Sequence, residues 1–176
     1  NKGKLVNSKN KLNLNITLEN ESNFVVPSKY IFFHFKRDIF DKLGWTVNKT
    51  YNFLNELSNI YEVLIATDIE GHSYVKFFKE KFNYYDYSTK TYNSGNSKIT
   101  YLHNIIGLDL FKIIANSTKT IATHGSFTNL SNYFNVPTID LFYIRSLSKS
   151  DLQSYKNAAR EFSPFNKKYF RLIPSL

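Results

Sequence analysis

The residues able to do chemistry in this 176-residue chain stand after short apolar runs. His124-Gly125-Ser126-Phe127 follows Thr120-Ile121-Ala122-Thr123 and opens a segment in which Phe127, Leu130 and Phe134 recur at helical spacing. A glycine-opened turn at the carboxyl end of a strand aims the next helix's free N–H groups at an anion. The pattern therefore predicts a site for a nucleotide's phosphates, with His124 and the Ser126 hydroxyl as further donors. An ordinary strand-to-helix turn with a serine cap would use the same residues. Lys36, Arg37 and Lys42 share the loop 35–46 that follows the apolar run Tyr30–His34. Asp68 and Glu70 follow Val63–Thr67, where nucleotide-binding sheets often place an acid on a ribose hydroxyl. With Gly71 beside them, a plain turn explains these two equally well. His34 ends its strand and reads either as a ligand contact or as a satisfied, partly buried histidine.

These groups need a scaffold that brings three loops to one edge. Tyr30–His34, Val63–Thr67, Thr120–Thr123 and Thr138–Phe142 are short, apolar and β-branched or aromatic, as buried parallel strands should be. Between them, Val47, Tyr51, Leu54, Leu57 and Tyr61, then Tyr74, Phe77, Phe78 and Phe82, then Leu108, Phe111 and Ile114 keep a helical period. Asn135-Val136-Pro137 stops the helix after the glycine turn. Shorter strands are expected at Tyr84–Tyr87 and Ile99–Leu102, with a turn at 93–96. An amphipathic helix is expected over 149–162. Alternating strands and helices mean β-α-β units, hence an α/β fold: a Rossmann-like parallel sheet with helices on both faces. In such a sheet, loops 35–46, 68–72 and 124–126 meet beyond the carboxyl ends of the strands, where ligands bind.

Composition narrows the partners. Lys plus Arg number 23 against 14 acids, a formal charge of +9, which suits nucleic acid, anionic headgroups or phosphorylated ligands. The lysines are scattered, and Lys- and Asn-rich usage is equally a compositional bias. No cysteine is present, which excludes disulfides and thiolate metal sites. No His/Asp/Glu cluster has metal-site spacing, so no protein-held metal is expected. No run of about 18 apolar residues exists to span a membrane. The chain begins at Asn1 and has no methionine, which predicts a piece of a longer protein lacking its amino-terminal part. Residues 1–28 then read as a linker or edge strand, 29–148 as the nucleotide-binding domain, and 149–176 as its terminal helix and basic, aromatic tail.

Three stretches carry a resemblance: YIFFHFKRDIFDKLGW, VLIATD, and LFKIIANSTKTIATHGSFTNLSNYFNVPTIDLF. Together they are similar to the carboxyl-terminal, donor-binding half of GT-B glycosyltransferases, nearest the ADP-heptose:lipopolysaccharide heptosyltransferases. His34-Phe35-Lys36-Arg37-Asp38 is also similar to the His-x-Arg loop of fucosyltransferases. The resemblance implies transfer of a hexosyl, heptosyl or fucosyl unit from a nucleoside-diphosphate sugar to a polysaccharide, lipopolysaccharide or lipid-linked saccharide. It implies no cofactor, and a catalytic base supplied by the other half. Lys36, Arg37 and Lys42 would neutralise the departing nucleoside diphosphate. The expected setting is cytoplasmic; helix 149–162 and the tail Lys167–Arg171 could touch headgroups at the inner membrane face, or the terminal helix crosses back to the other domain as in GT-B folds. The alternative is a basic α/β module for nucleic acid or anionic surfaces. Against it, lysines and aromatics do not interleave on one face, so no nucleic-acid partner is expected. A dehydrogenase would need the Gly-x-Gly-x-x-Gly that is missing after the first strand.

Overall fold

The computed structural model describes residues 24–36, 46–67, 73–123, 125–143 and 167–172. Candidate residues Arg37, Lys42, Asp68, Glu70 and His124, and the expected helix 149–162, lie outside them. Apolar runs with no polar interruption become strands buried on both sides. β1 (Tyr30–Phe35) is buried at every position, and β2 (Glu62–Thr67) and β6 (Lys119–Thr123) are buried through their centres. The other strands are β3 (Asn83–Asp86), β4 (Thr91–Asn93), β5 (Ile99–His103), β7 (Thr138–Tyr143) and β8 (Lys167–Leu172). They form one eight-stranded sheet in the order β4-β3-β5-β2-β1-β6-β7-β8. Every pairing is parallel except the β3–β4 hairpin at one edge. Residues 167–172, expected as a tail, are instead the strand at the other edge, parallel to β7.

Among the described residues, four helices cover the two faces: α1 (Val47–Ser58), α2 (Ser73–Lys81), α3 (Gly107–Asn116) and α4 (Ser126–Tyr133). The alternation along β1 divides the core. Ile31, Phe33 and Phe35 pack with Leu54 of α1 and Tyr74, Val75 and Phe78 of α2. Tyr30 and Phe32 pack with Leu110, Ile113 and Ile114 of α3 and with Phe127 and Leu130 of α4. The chain is thus a Rossmann-like α/β domain with helices on both faces. Phe24, ahead of Pro27, joins the second core and stacks on Tyr85 at 5.1 Å.

Helix ends follow local chemistry. Thr46 caps α1 by accepting from the Lys49 amide. The buried Tyr30 hydroxyl donates to the Ile113 carbonyl at 2.6 Å, satisfying one of the carbonyls left over at the end of α3. Burial without a charged partner holds that phenol far above its usual pKa. α4 ends in the paired bonds of a Schellman motif. Asn135 takes a positive φ of 59°, its amide donates to Asn132, and the Val136 amide donates to Ser131. Pro137 follows, as the sequence predicted.

Candidate functional site

Strand order reverses between β1 and β6: β1 leads through α1 to β2 on one side, and β5 leads through α3 to β6 on the other. A crevice opens at such a switch point, beyond the carboxyl ends of the strands. Lys36 and the Gly125 turn both stand there. Lys36, half-buried, follows β1, and the turn follows β6.

Gly125 has φ 156° and ψ −155°, a backbone region that is essentially glycine's own. An added Cβ would meet nothing nearer than the Thr123 carbonyl at 4.0 Å, so the backbone angles demand glycine and crowding does not. Gly125 itself is the N-cap, where the sequence had suggested Ser126; the serine is the first helical residue and is exposed. Glycine brings no side chain to the helix's free amides. Thr128 binds the turn from inside, its hydroxyl donating to the Gly125 carbonyl at 2.9 Å and accepting weakly from the Gly125 amide. The first turn of α4 holds no acidic residue and has no side-chain cap. It therefore presents unneutralised positive dipole to the crevice.

Beneath this turn lies His34. Its register partners on either side are Ala66 of β2 and Ala122 of β6, whose small side chains leave room for the imidazole. Phe127 covers the ring with centroids 3.9 Å apart. His34 is 3% exposed, and neither Nδ1 nor Nε2 has a hydrogen-bond partner. Burial, assisted by the nearby Lys36 charge, pushes its pKa down to about 3. The imidazole is therefore neutral at physiological pH, with one nitrogen able to donate and the other to accept. One strand further on in the same register row stands Asp140, fully buried on β7. A His34–Ala122–Asp140 row puts the two polar groups about 9–10 Å apart on one face. Sequence reasoning missed Asp140, although a lone acid inside Thr138–Phe142 was its visible signal.

A second polar cluster runs along the same edge on the other face. The Thr67 and Tyr101 hydroxyls are 3.2 Å apart, and the Tyr101 hydroxyl is 3.0 Å from His103 Nδ1. Asp86 lies 3.9 Å from His103 Nε2 and 4.0 Å from Lys79. Burial alone would raise the Asp86 pKa, but the Ser88 hydroxyl and amide, His103 and Lys79 together hold it below the usual carboxylate value. His103 is thereby tied into this cluster.

The structure thus gathers His34, Lys36, Gly125, Ser126 and Phe127 at one edge. Among the described residues no group of three or more His, Cys, Asp or Glu side chains could hold a metal ion. No helix among them is long and apolar enough to cross a membrane. No protein-family model matches the chain, and no curated protein matches it. Among solved structures, the UDP-GlcNAc 2-epimerase from Methanocaldococcus jannaschii superposes on 84% of this chain with a TM-score of 0.48 and 15% sequence identity. The superposition takes in 36% of the epimerase chain, so this chain spans little more than a third of that protein's length.

Proposed function

We propose that the crevice between β1 and β6 binds the diphosphate of a nucleotide sugar, and that the chain is the donor-binding part of a glycosyltransferase. The observation that carries this reading is the uncapped amino terminus of α4, opened by a conformationally obligate glycine over a buried histidine without partners. The α4 amides receive phosphate oxygens. His34 offers a neutral hydrogen bond, which costs less to keep dry than a charge. Lys36, with Arg37, Lys42 and His124 from the neighbouring loops, offsets the charge that develops on the leaving diphosphate. Asp68 or Glu70 takes a ribose hydroxyl. The base that activates the acceptor comes from outside this domain. The acceptor is a surface polysaccharide or lipopolysaccharide, met at a membrane face that the net charge of +9 favours. The resemblance of its motifs to heptosyltransferases makes a heptosyl unit one of the sugars to test.

Thermal-shift titration with ADP, GDP, UDP and dTDP and their sugars tests the reading. One nucleotide series should raise the melting temperature, and ligand at ~100 times its Kd should add about 2.7 kcal/mol. A His124→Ala/Arg37→Ala double variant should lose that shift. If no nucleotide stabilises the chain, and polyanions do so only at low salt, the site is a basic anion surface and the glycosyltransferase reading fails.

A further inference from the structure

The amino ends of the strands carry a second cleft, across the full length of β2 from the nucleotide crevice, or roughly 17–20 Å away. It lies between the last turns of α1 and α2 and the loop joining β4 to β5, and its volume is about 590 Å³. That is within the usual range of small-ligand sites, roughly 300–1,000 Å³. Beneath it the half-buried Tyr51 stacks on the buried Phe82 with centroids 5.8 Å apart and planes 14° from parallel. Its loop wall is braced. The buried Asn83 carboxamide donates to the Ser97 carbonyl and accepts from the Gly95 amide, both at 2.6 Å. Asn55 and Asn96 line it from opposite sides, and Lys81 and Lys98 add two cations. Lys79 and Glu80 line the cleft as well, and each is paired elsewhere, Lys79 with Asp86 and Glu80 with Lys76. Neither Lys81 nor Lys98 has an ion pair among the described residues.

We infer that this cleft binds a saccharide bearing a carboxylate. Carboxamides supply donors and acceptors side by side, which suits the alternating hydroxyls of a sugar and is poor recognition for a bare anion. Two lysines match one carboxylate, and they are too few for the phosphate track of a nucleic acid. This inference does not depend on the nucleotide reading, since the two sites share no residue.

The test is a titration of the whole chain followed by amide ¹H–¹⁵N spectra. The probes are a tetrasaccharide of alternating glucuronic acid and N-acetylglucosamine, a galacturonic acid tetrasaccharide, the neutral chitotetraose, and inorganic phosphate. At least one acidic tetrasaccharide should saturably shift the amides of Gly95–Lys98 and Asn55–Asn59. Chitotetraose should bind at least tenfold more weakly. A Lys81→Gln/Lys98→Gln double variant, both positions being exposed, should keep the spectrum elsewhere and lose at least tenfold in affinity. Equal binding of the neutral probe, equal shifts with phosphate, or no shift at the cleft with either acidic probe would each overturn the proposal.

Discussion

α1 and α4 both begin at the carboxyl-end edge of one sheet, yet they treat their free amides in opposite ways. Thr46 enters α1 in an extended conformation and its hydroxyl accepts from Lys49, so that terminus is satisfied from within. Gly125 enters α4 with angles that exclude other residues and contributes no side chain. α3 shows a third arrangement: its N-cap Ile106 makes no cap bond, but Asp109 in the first turn sets an anion against the dipole. Only α4 among these three has neither cap nor acid, and it alone covers a partnerless buried histidine. A helix terminus that a protein leaves open carries a cost to stability, so the contrast singles out the terminus at which the proposed diphosphate would sit.

The most severe way to probe that contrast is acid. The folded-state pKa of His34 is about 3, against 6.5 for an unperturbed imidazole. Between those values the unfolded chain holds the proton and the folded chain does not. The stability is therefore full above pH 6.5 and falls as pH drops toward 3, by about 1.4 kcal/mol per pH unit and by roughly 4–5 kcal/mol in all. Asp86 adds its own loss only lower down, since its lowered pKa lies below 3.8. The difference in slope between the parent and a His34 variant from pH 6.5 to 4.5 thus reports His34. Urea melts of His34→Leu should fall off less steeply than the parent's across that interval by about that slope, and the variant should be no less stable than the parent at pH 7, because an apolar side chain leaves no nitrogen orphaned. If the variant keeps the parent's slope, His34 is solvated and the dry crevice is wrong.

Next in size is the pair Gly125→Ala and Thr46→Ala. The first forces alanine into a region that glycine alone tolerates and should cost about 1–3 kcal/mol. It should also abolish nucleotide stabilisation, since the relaxed turn moves the α4 amides. The second removes a cap, should cost about 1 kcal/mol, and should leave every ligand response intact. Equal ligand responses in the two variants would erase the distinction between the termini.

Local chemistry explains what was legible in the sequence. Unbroken apolar runs and glycine-to-proline punctuation gave β1, β2, β6 and β7 and the helix between Gly125 and Pro137, because those signals sit within a few residues of one another. β8 was illegible: Lys167–Leu172 has no apolar run, and it becomes a strand by pairing with β7. The same limit hid the polar groups. Asp140 and His34 share a row only through register across Ala122, and Asp86 reaches His103 only because β3 pairs with β5. Spacing along the chain does not report register between strands.

The smallest expected effect is the most discriminating. Ser126 is exposed at the first position of α4, and aspartate there needs no change of backbone. A carboxylate at a helix amino terminus stabilises by about 0.3–1 kcal/mol at low salt. Ser126→Asp should therefore raise the melting temperature slightly while occupying the field that a phosphate would use. Nucleotide stabilisation should disappear in a protein that is, if anything, more stable, which separates loss of ligand from loss of fold. The response to acidic tetrasaccharide at the opposite edge should not change. A variant that gains stability and still binds nucleotide would move the diphosphate away from α4 and leave its open terminus without a purpose.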